Sequence, residues 1–463
     1  MRIKSKYLFS AFAAASVLAV PATALATNGY FLPGYGAKSI GMGGAGVAYP
    51  QDALASASNP AGLLEVGTRA DMGLGLFNPP RRGYTDTTGS YFGDGRGTTE
   101  ARSANDWFPV PNMGFTFQFD EKLAIGFAVY GNGLGTAYKP NFYNFTGVYG
   151  DAIGVDLMQV LMPITAAYRV TDTQSVGVSF VTGYQRFRAK GLGQFAAVSS
   201  NPERLTDKGY DFATGAGARV GWLGKFAGGR LNLGASYASR VYMTRFDEYR
   251  GLFAEQGGFD VPANFSVGFA VKAAKDLDVV FDYEKIFYSK VKSVGNLGPY
   301  DGTSGVGYLL GLATNNGPGA LGRDDGMGFG WTDQEIYKLG LNYKYSDKWT
   351  FRAGLNYGKS PIPASQLQFN VIAPATVEKH AAIGFTYNLG EQSILGFGSE
   401  AELTVSFLHA FRHKQHGPSA LGICPTSGAL PDGTTCTPNA QNVGYTEFEM
   451  KQNELEISYG LKF

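Results

Sequence analysis

The sequence predicts an all-β fold: a fourteen-stranded antiparallel transmembrane β-barrel carrying an N-terminal plug. Three observations predict it. The chain closes on Leu455, Ile457, Tyr459, Leu461 and Phe463 alternating with Glu456, Ser458, Gly460 and Lys462, the period-2 pattern of a strand with one face to lipid and one to a lumen. Segments of the same kind recur fourteen times along the chain, an even number as closure of a bacterial barrel requires. The chain also opens on an export leader, with Arg2, Lys4 and Lys6 before the mostly apolar stretch Tyr7 to Val20 and an A-x-A site at Ala24-Leu25-Ala26.

The leader, residues 1–26, carries three bases and no acid, so its removal before Thr27 turns the formal charge from +1 to −2. That balance lacks the basic excess of a nucleic-acid binder. No later apolar run is long enough for a transmembrane helix, so any membrane crossing is made by strands. Glycine at 65 of 463 residues, with 27 Tyr and 33 Phe and only 17% charged residues, suits small lumen-facing residues combined with interfacial aromatics. The aromatic and β-branched content excludes a disordered chain.

Residues 27–66 do not alternate. Gly29, Gly34, Gly36, Gly41, Gly43, Gly44 and Gly46 stand among alanines and serines, which pack compactly without strand character. A barrel of this size is too wide for its own side chains to fill, so this segment is expected to be a plug, or hatch, which argues against an open diffusion porin. Gly41-Met42-Gly43-Gly44-Ala45-Gly46 has the look of a dinucleotide-binding turn, but no strand precedes it.

Residues 67–463 form the expected barrel. Strands are predicted near 67–78, 110–120, 121–138, 157–170, 174–190, 208–222, 230–245, 260–273, 276–290, 332–346, 348–358, 376–389, 400–413 and 445–463. In the second, Met113, Phe115, Phe117 and Phe119 face outward and Gly114, Thr116 and Gln118 inward. Short links such as Asp120-Glu121 and Ser346-Asp347 alternate with long ones at 79–109, 139–156, 191–207, 246–259, 291–331, 359–375 and 414–444, as periplasmic turns alternate with extracellular loops. Strand parity directs Asp278, Asp282, Glu284, Lys338, Arg352, Glu400, Glu402, Glu454 and Glu456 into the lumen, most simply as a solvated or ion-paired lining.

Cys424 and Cys436 share one loop, and an oxidising compartment favours a disulfide between them. His409 and His413 lie on one strand face without the carboxylates of a metal site. No catalytic triad can be assembled. No enzyme activity, cofactor or metal is expected.

Asn28-Gly29-Tyr30-Phe31, Ser39 to Gly46, Gln51-Asp52-Ala53 and Asn59-Pro60-Ala61 together resemble the N-terminal hatch of the FadL family, outer-membrane transporters of long-chain fatty acids and other hydrophobic compounds. Pro111-Asn112-Met113, Tyr130-Gly131-Asn132-Gly133-Leu134-Gly135 and the terminal Phe463 extend the resemblance over the mature chain. It implies a fourteen-stranded barrel with a hatch, passive uptake, and sideways release where the third strand kinks. Gly131, Gly133 and Gly135 would permit that kink. Thr27 to Phe31 would move on ligand binding, with Tyr30 and Phe31 able to mimic a ligand, and Asn59, Pro60 and Ala61 would position the hatch.

Long-chain fatty acids are the expected substrate, with Arg186, Arg188 and Lys190 as candidates for the carboxylate. Arg188-Ala189-Lys190 resembles the fatty-acid branch, but Gly191-Leu192-Gly193 then departs from it. The same cations could instead bind lipopolysaccharide phosphates at the loop rim. A sister branch admits monoaromatic hydrocarbons, and a polar-solute porin or a surface receptor built on the long loops are rival functions. The expected partners are hydrophobic small molecules, outer-membrane lipid and lipopolysaccharide, and the barrel-assembly machinery through Phe463, with the protein acting as a monomer in the outer membrane.

Overall fold

A computed structural model describes residues 28–86, 98–143, 150–298, 317, 319–394, 397–418 and 445–463. The leader, Thr27, Cys424 and Cys436 lie outside these residues.

Fourteen long strands close into one antiparallel barrel: β1 (Arg69–Asn78), β4 (Phe108–Gln118), β5 (Leu123–Gly135), β6 (Gly154–Thr171), β7 (Gln174–Lys190), β8 (Asp211–Phe226), β9 (Leu231–Ala238), β11 (Asn264–Ala274), β12 (Leu277–Ile286), β13 (Gln334–Lys344), β14 (Trp349–Gly358), β15 (Lys379–Ile394), β16 (Phe397–Pro418) and β17 (Tyr445–Lys462). Closure is made by β1 on β17, from Arg69 opposite Lys462 to Asn78 opposite Asn453. One face of each strand is apolar and exposed, as at Val176, Val178 and Phe180 of β7 or Leu339, Leu341 and Tyr343 of β13, which is the lipid-facing half of the alternation.

The structure corrects the expected layout at four points. The connection 79–109 is not a plain loop: β2 (Arg81–Asp86) and β3 (Thr98–Arg102) form a hairpin that pairs onto the tall end of β17. The stretch expected at 230–245 breaks after Ala238 and resumes as the two-residue β10 (Tyr242–Met243). The expected 276–290 ends at Ile286, and Tyr288–Lys290 turn into a 3-10 helix. Glu400, expected inward, is exposed, opposite Lys462 at the short-turn end.

Residues 28–66 lie against the inner wall as short helical turns: Ala37–Ile40, Ala53–Ala57, Pro60–Gly62 and Leu63–Val66. The lumen-facing glycines make this possible. A Cβ on Gly354 would strike the Met42–Gly43 backbone, and one on Gly177 the Pro60–Ala61 backbone.

Most of the lumen charges hold this segment. The Asp282 carboxylate accepts from the amides of Gly46 and Val47 at 2.6 and 3.0 Å, and Lys338 donates to the Pro33 carbonyl at 2.8 Å. Asp71 accepts from the Ala53 amide at 2.8 Å while pairing with Arg69. Glu402 pairs with both Lys38 and Arg69. Burying a charge is costly, and pairing and hydrogen bonding of this kind offset the cost.

Candidate functional site

The barrel wall parts between β4 and β5. Their ladder runs from Gln118 opposite Ala124 to Met113 opposite Val129 and stops there. Beyond it β4 keeps its partner β1 up to Phe108, and β5 keeps β6 through Gly135. The missing pairing is therefore local to the two facing edges. Over Asn132 to Gly135 the burial alternation of β5 is lost and every residue is buried, so both faces of this stretch are covered.

Residue types explain the parting on both sides. Odd-numbered residues of β4 present their amides to β5, as Phe119 does to the Leu123 carbonyl at 2.9 Å. Continued in register, Pro111 would face Gly131 and Pro109 would face Gly133. Proline has no amide hydrogen to give, and glycine weakens a strand and permits a bend. The sequence-predicted glycines thus lie beyond the point where the β4–β5 ladder ends, and only Gly131 and Gly133 would meet the prolines if that register continued.

The N-terminal segment takes up the freed edge. The Gly133 amide donates to the Tyr30 carbonyl at 3.1 Å, and the Leu32 amide donates to Asn132 Oδ1 at 3.3 Å. Asn28 and Phe31 close a tight turn on each other. Gly29 sits inside it with φ +68°, and a Cβ there would also collide with the Tyr288 ring. The Tyr288 hydroxyl accepts from the Tyr30 amide at 3.2 Å and donates to the Asn28 carbonyl at 2.6 Å. Burial holds both phenols well above the usual range, so both stay neutral.

Tyr30 is also one wall of an apolar pocket on the long-loop side. Leu134, Leu157 and Phe187 come from β5, β6 and β7, and Phe253, Phe259, Val294 and Trp331 from the long connections. The cavity measures about 30 Å³, its exposed lining is apolar, and the Tyr30 ring meets those of Tyr288, Trp331 and Phe259 at 5.1, 5.7 and 6.0 Å. Such a site can hold a hydrophobic molecule once a side chain withdraws.

Asn59 anchors the far end of the segment. Its amide donates to the carbonyls of Val47 and Trp222 at 2.8 and 2.9 Å, and its oxygen accepts from Ala61 at 3.1 Å, with Pro60 opening the 3-10 turn. These bonds tie the turn at Pro60 to the Trp222 carbonyl of β8 and to Val47 of the same segment.

Arg186, Arg188 and Lys190 are brought together, but away from the pocket. They share the parity of the exposed Val176, Val178 and Phe180 and so face outward, whereas Phe187 points in. Arg186 and Arg188 approach Asp156 at 3.7 and 3.6 Å and both lie 4.3 Å from the Tyr210 ring centroid. This outer cluster cannot reach a carboxylate held beside Phe187, and strand parity alone would have revealed it.

Sequence reasoning missed Arg81. It is buried, donates to the Pro79 carbonyl at 3.1 Å, leaves Nη1 without a hydrogen-bond partner, and lies 5.8 Å from the Phe108 ring at the top of β4. His409 and His413 hydrogen-bond to Asn453 and the Thr376 carbonyl, and no metal-binding group of His, Cys, Asp or Glu occurs among the described residues.

A closed, lipid-faced barrel of fourteen long strands, with an inward segment and a parted wall, defines an outer-membrane transport channel. Residues 18–404 match the family described as outer membrane protein transport protein (OMPP1/FadL/TodX), and the chain belongs to that family, whose members are channels for hydrophobic compounds and not enzymes. Similar folds include the Pseudomonas putida toluene transporter TodX, 18% identical, with 94% of this chain and 100% of that one covered at a TM-score of 0.62. A Pseudomonas aeruginosa FadL homologue is 16% identical over 94% and 100% at 0.64, and the Ralstonia pickettii toluene transporter TbuX is 20% identical over 93% and 99% at 0.59. An uncharacterized Chlorobium limicola protein, from the phosphoenolpyruvate carboxykinase gene 5′ region, is 49% identical over 55 residues, which are 11% of this chain and span 27% of that relative's length.

Proposed function

We infer that the protein passively carries neutral hydrophobic small molecules, of the kind its toluene-transporting structural neighbours are named for, from the extracellular loops into the outer membrane. Ligand enters the pocket beside Tyr30, the turn at Asn28–Phe31 withdraws, and the molecule leaves sideways between β4 and β5. Residues 27–66 act as the hatch. The observation that carries this reading is a pocket whose exposed lining is apolar, next to a wall whose ladder ends at Val129. A hydrocarbon needs desolvation and shape rather than a charge, and Arg186 and Arg188 face away.

Long-chain fatty acids are the second reading. Arg81 favours it, as a buried cation with one nitrogen unpartnered near the top of the opening, where the hydroxyl of buried Tyr138 is also without a partner. A carboxylate would satisfy both groups.

The test is uptake of labelled toluene and labelled oleate by a transport-deficient Gram-negative strain displaying this chain. Toluene entry above the empty-vector rate without oleate entry is the expected result. Oleate entry that is lost in Arg81→Leu would transfer the assignment to fatty acids. Ion conductance of an open pore in planar bilayers would instead make the protein a polar-solute porin.

A further inference from the structure

Three carboxamides stand in one row across the wall directly beneath the pocket. In the β5–β6–β7 register Leu134, Leu157 and Phe187 form the pocket row, and the next inward-facing row toward the short turns is Asn132, Gln159 and Gln185. The row below that is Tyr130, Leu161 and Gly183. Adjacent members lie on neighbouring strands, about 5 Å apart between Cα atoms.

Gln159 and Gln185 are fully buried and Asn132 is 2% exposed. Both polar atoms of Gln159, both of Gln185, and Nδ2 of Asn132 have no hydrogen-bond partner in the protein. Asn132 Oδ1 alone is engaged, by the Leu32 amide and the Tyr35 hydroxyl at 3.1 Å. Buried, unpartnered amides are costly. The row also sits at the level where β5 has left β4, on the path from pocket to opening.

Building on the pocket reading above, we propose that Asn132, Gln159 and Gln185 form a polar subsite for the hydroxyl of a neutral ligand whose hydrocarbon part occupies the pocket. The substrate class is then hydrophobic alcohols and phenols. A carboxamide offers two donors and an acceptor, so the row can both give a hydrogen bond to a hydroxyl and take one from it. It carries no charge to balance a carboxylate, and its carbonyl oxygens would repel one. A pure hydrocarbon would leave all five free atoms unsatisfied. Because Asn132 also holds Leu32, a hydroxyl bound there touches the residue that ties the N-terminal segment to β5.

The experiment is equilibrium binding of radiolabelled 4-methylphenol and of toluene to the purified, folded full-length barrel. The two probes differ by one hydroxyl. Wild type is expected to bind 4-methylphenol about tenfold more tightly than toluene, the return of one or two neutral hydrogen bonds in a buried site. The near-isosteric double variant Gln159→Met/Gln185→Met should lose that margin and keep toluene binding, and Gln159→Asn should retain part of it. Folding of each variant is verified by heat-dependent gel mobility. Toluene binding with no preference for the phenol, or a preference unchanged in the double variant, overturns the subsite and leaves the pocket reading standing. Equal loss of both probes in a folded double variant makes the row a packing element and also overturns it. Failure of wild type to bind either probe overturns both readings.

Discussion

The amide of Gly133 donates to the carbonyl of Tyr30 at 3.1 Å. A residue of the N-terminal segment thereby occupies the edge of β5 that β4 has relinquished. Gly133 lies beyond the end of the β4–β5 ladder and Tyr30 lines the pocket, so movement of the segment would uncover both together.

Pro109 and Pro111 are expected to keep the opening from zipping shut. Replacing both with valine restores two amide donors on the β4 edge facing Gly131 and Gly133. The ladder should then extend past Val129, raising the unfolding temperature of the barrel and cutting uptake of hydrophobic solute about tenfold, since each regained bond contributes roughly 1 kcal/mol. Uptake equal to wild type in a correctly folded variant would show that the prolines do not control the passage.

Gly29→Ala should dislodge the Asn28–Phe31 turn. Its φ of +68° is unfavourable for alanine, and the added methyl meets the Tyr288 ring. The left-handed conformation alone costs roughly 1–2 kcal/mol. In a variant retaining Trp331 as its sole tryptophan, the emission should shift to the red as Tyr30 leaves the indole, with the barrel still folded. Unchanged emission would mean that the turn tolerates a side chain.

Glu402 ties Lys38 of the N-terminal segment to Arg69 of the wall. Glu402→Gln removes the shared acid, and breaking a largely buried pair costs about 3 kcal/mol. Arg69 keeps Asp71 at 2.6 Å, so the loss falls on Lys38. The segment should loosen, and single-channel recordings should show brief ionic openings that wild type lacks. Silent bilayers would argue that Asp282, Lys338 and Asn59 hold the segment without it.

Asn59→Ala deletes the cap on Ala61 and strands the Val47 and Trp222 carbonyls. About 2 kcal/mol of local stability should go with them. Hydrogen exchange is expected to rise at Val47 and across Pro60–Val66, while the β7 and β8 ladders stay protected. Exchange rising equally along those strands would identify Asn59 as a support of the barrel itself.

The lipid-facing strands were legible because their signal is local. A strand with lipid on one side and a lumen on the other must alternate residue by residue, and β7 accordingly spans the expected 174–190. The hairpin β2–β3 escaped notice because Arg81-Arg82-Gly83-Tyr84-Thr85-Asp86 and Thr98-Thr99-Glu100-Ala101-Arg102 carry no lipid-facing alternation. The outward parity of Arg186 and Arg188 was present in the sequence, set by Val176, Val178 and Phe180.

The sequence by itself determined the barrel, its strand number, the inward residues of most strands and the small-residue segment that lines the lumen. Only the tertiary structure decided that the β4–β5 ladder ends at Val129, that Tyr30 meets Trp331 and Tyr288, and that Asn132, Gln159 and Gln185 share a row. Periodicity is imposed on each strand by its two solvents and is written within a few residues. Register and loop packing are set between segments far apart in the chain, and no short stretch encodes them.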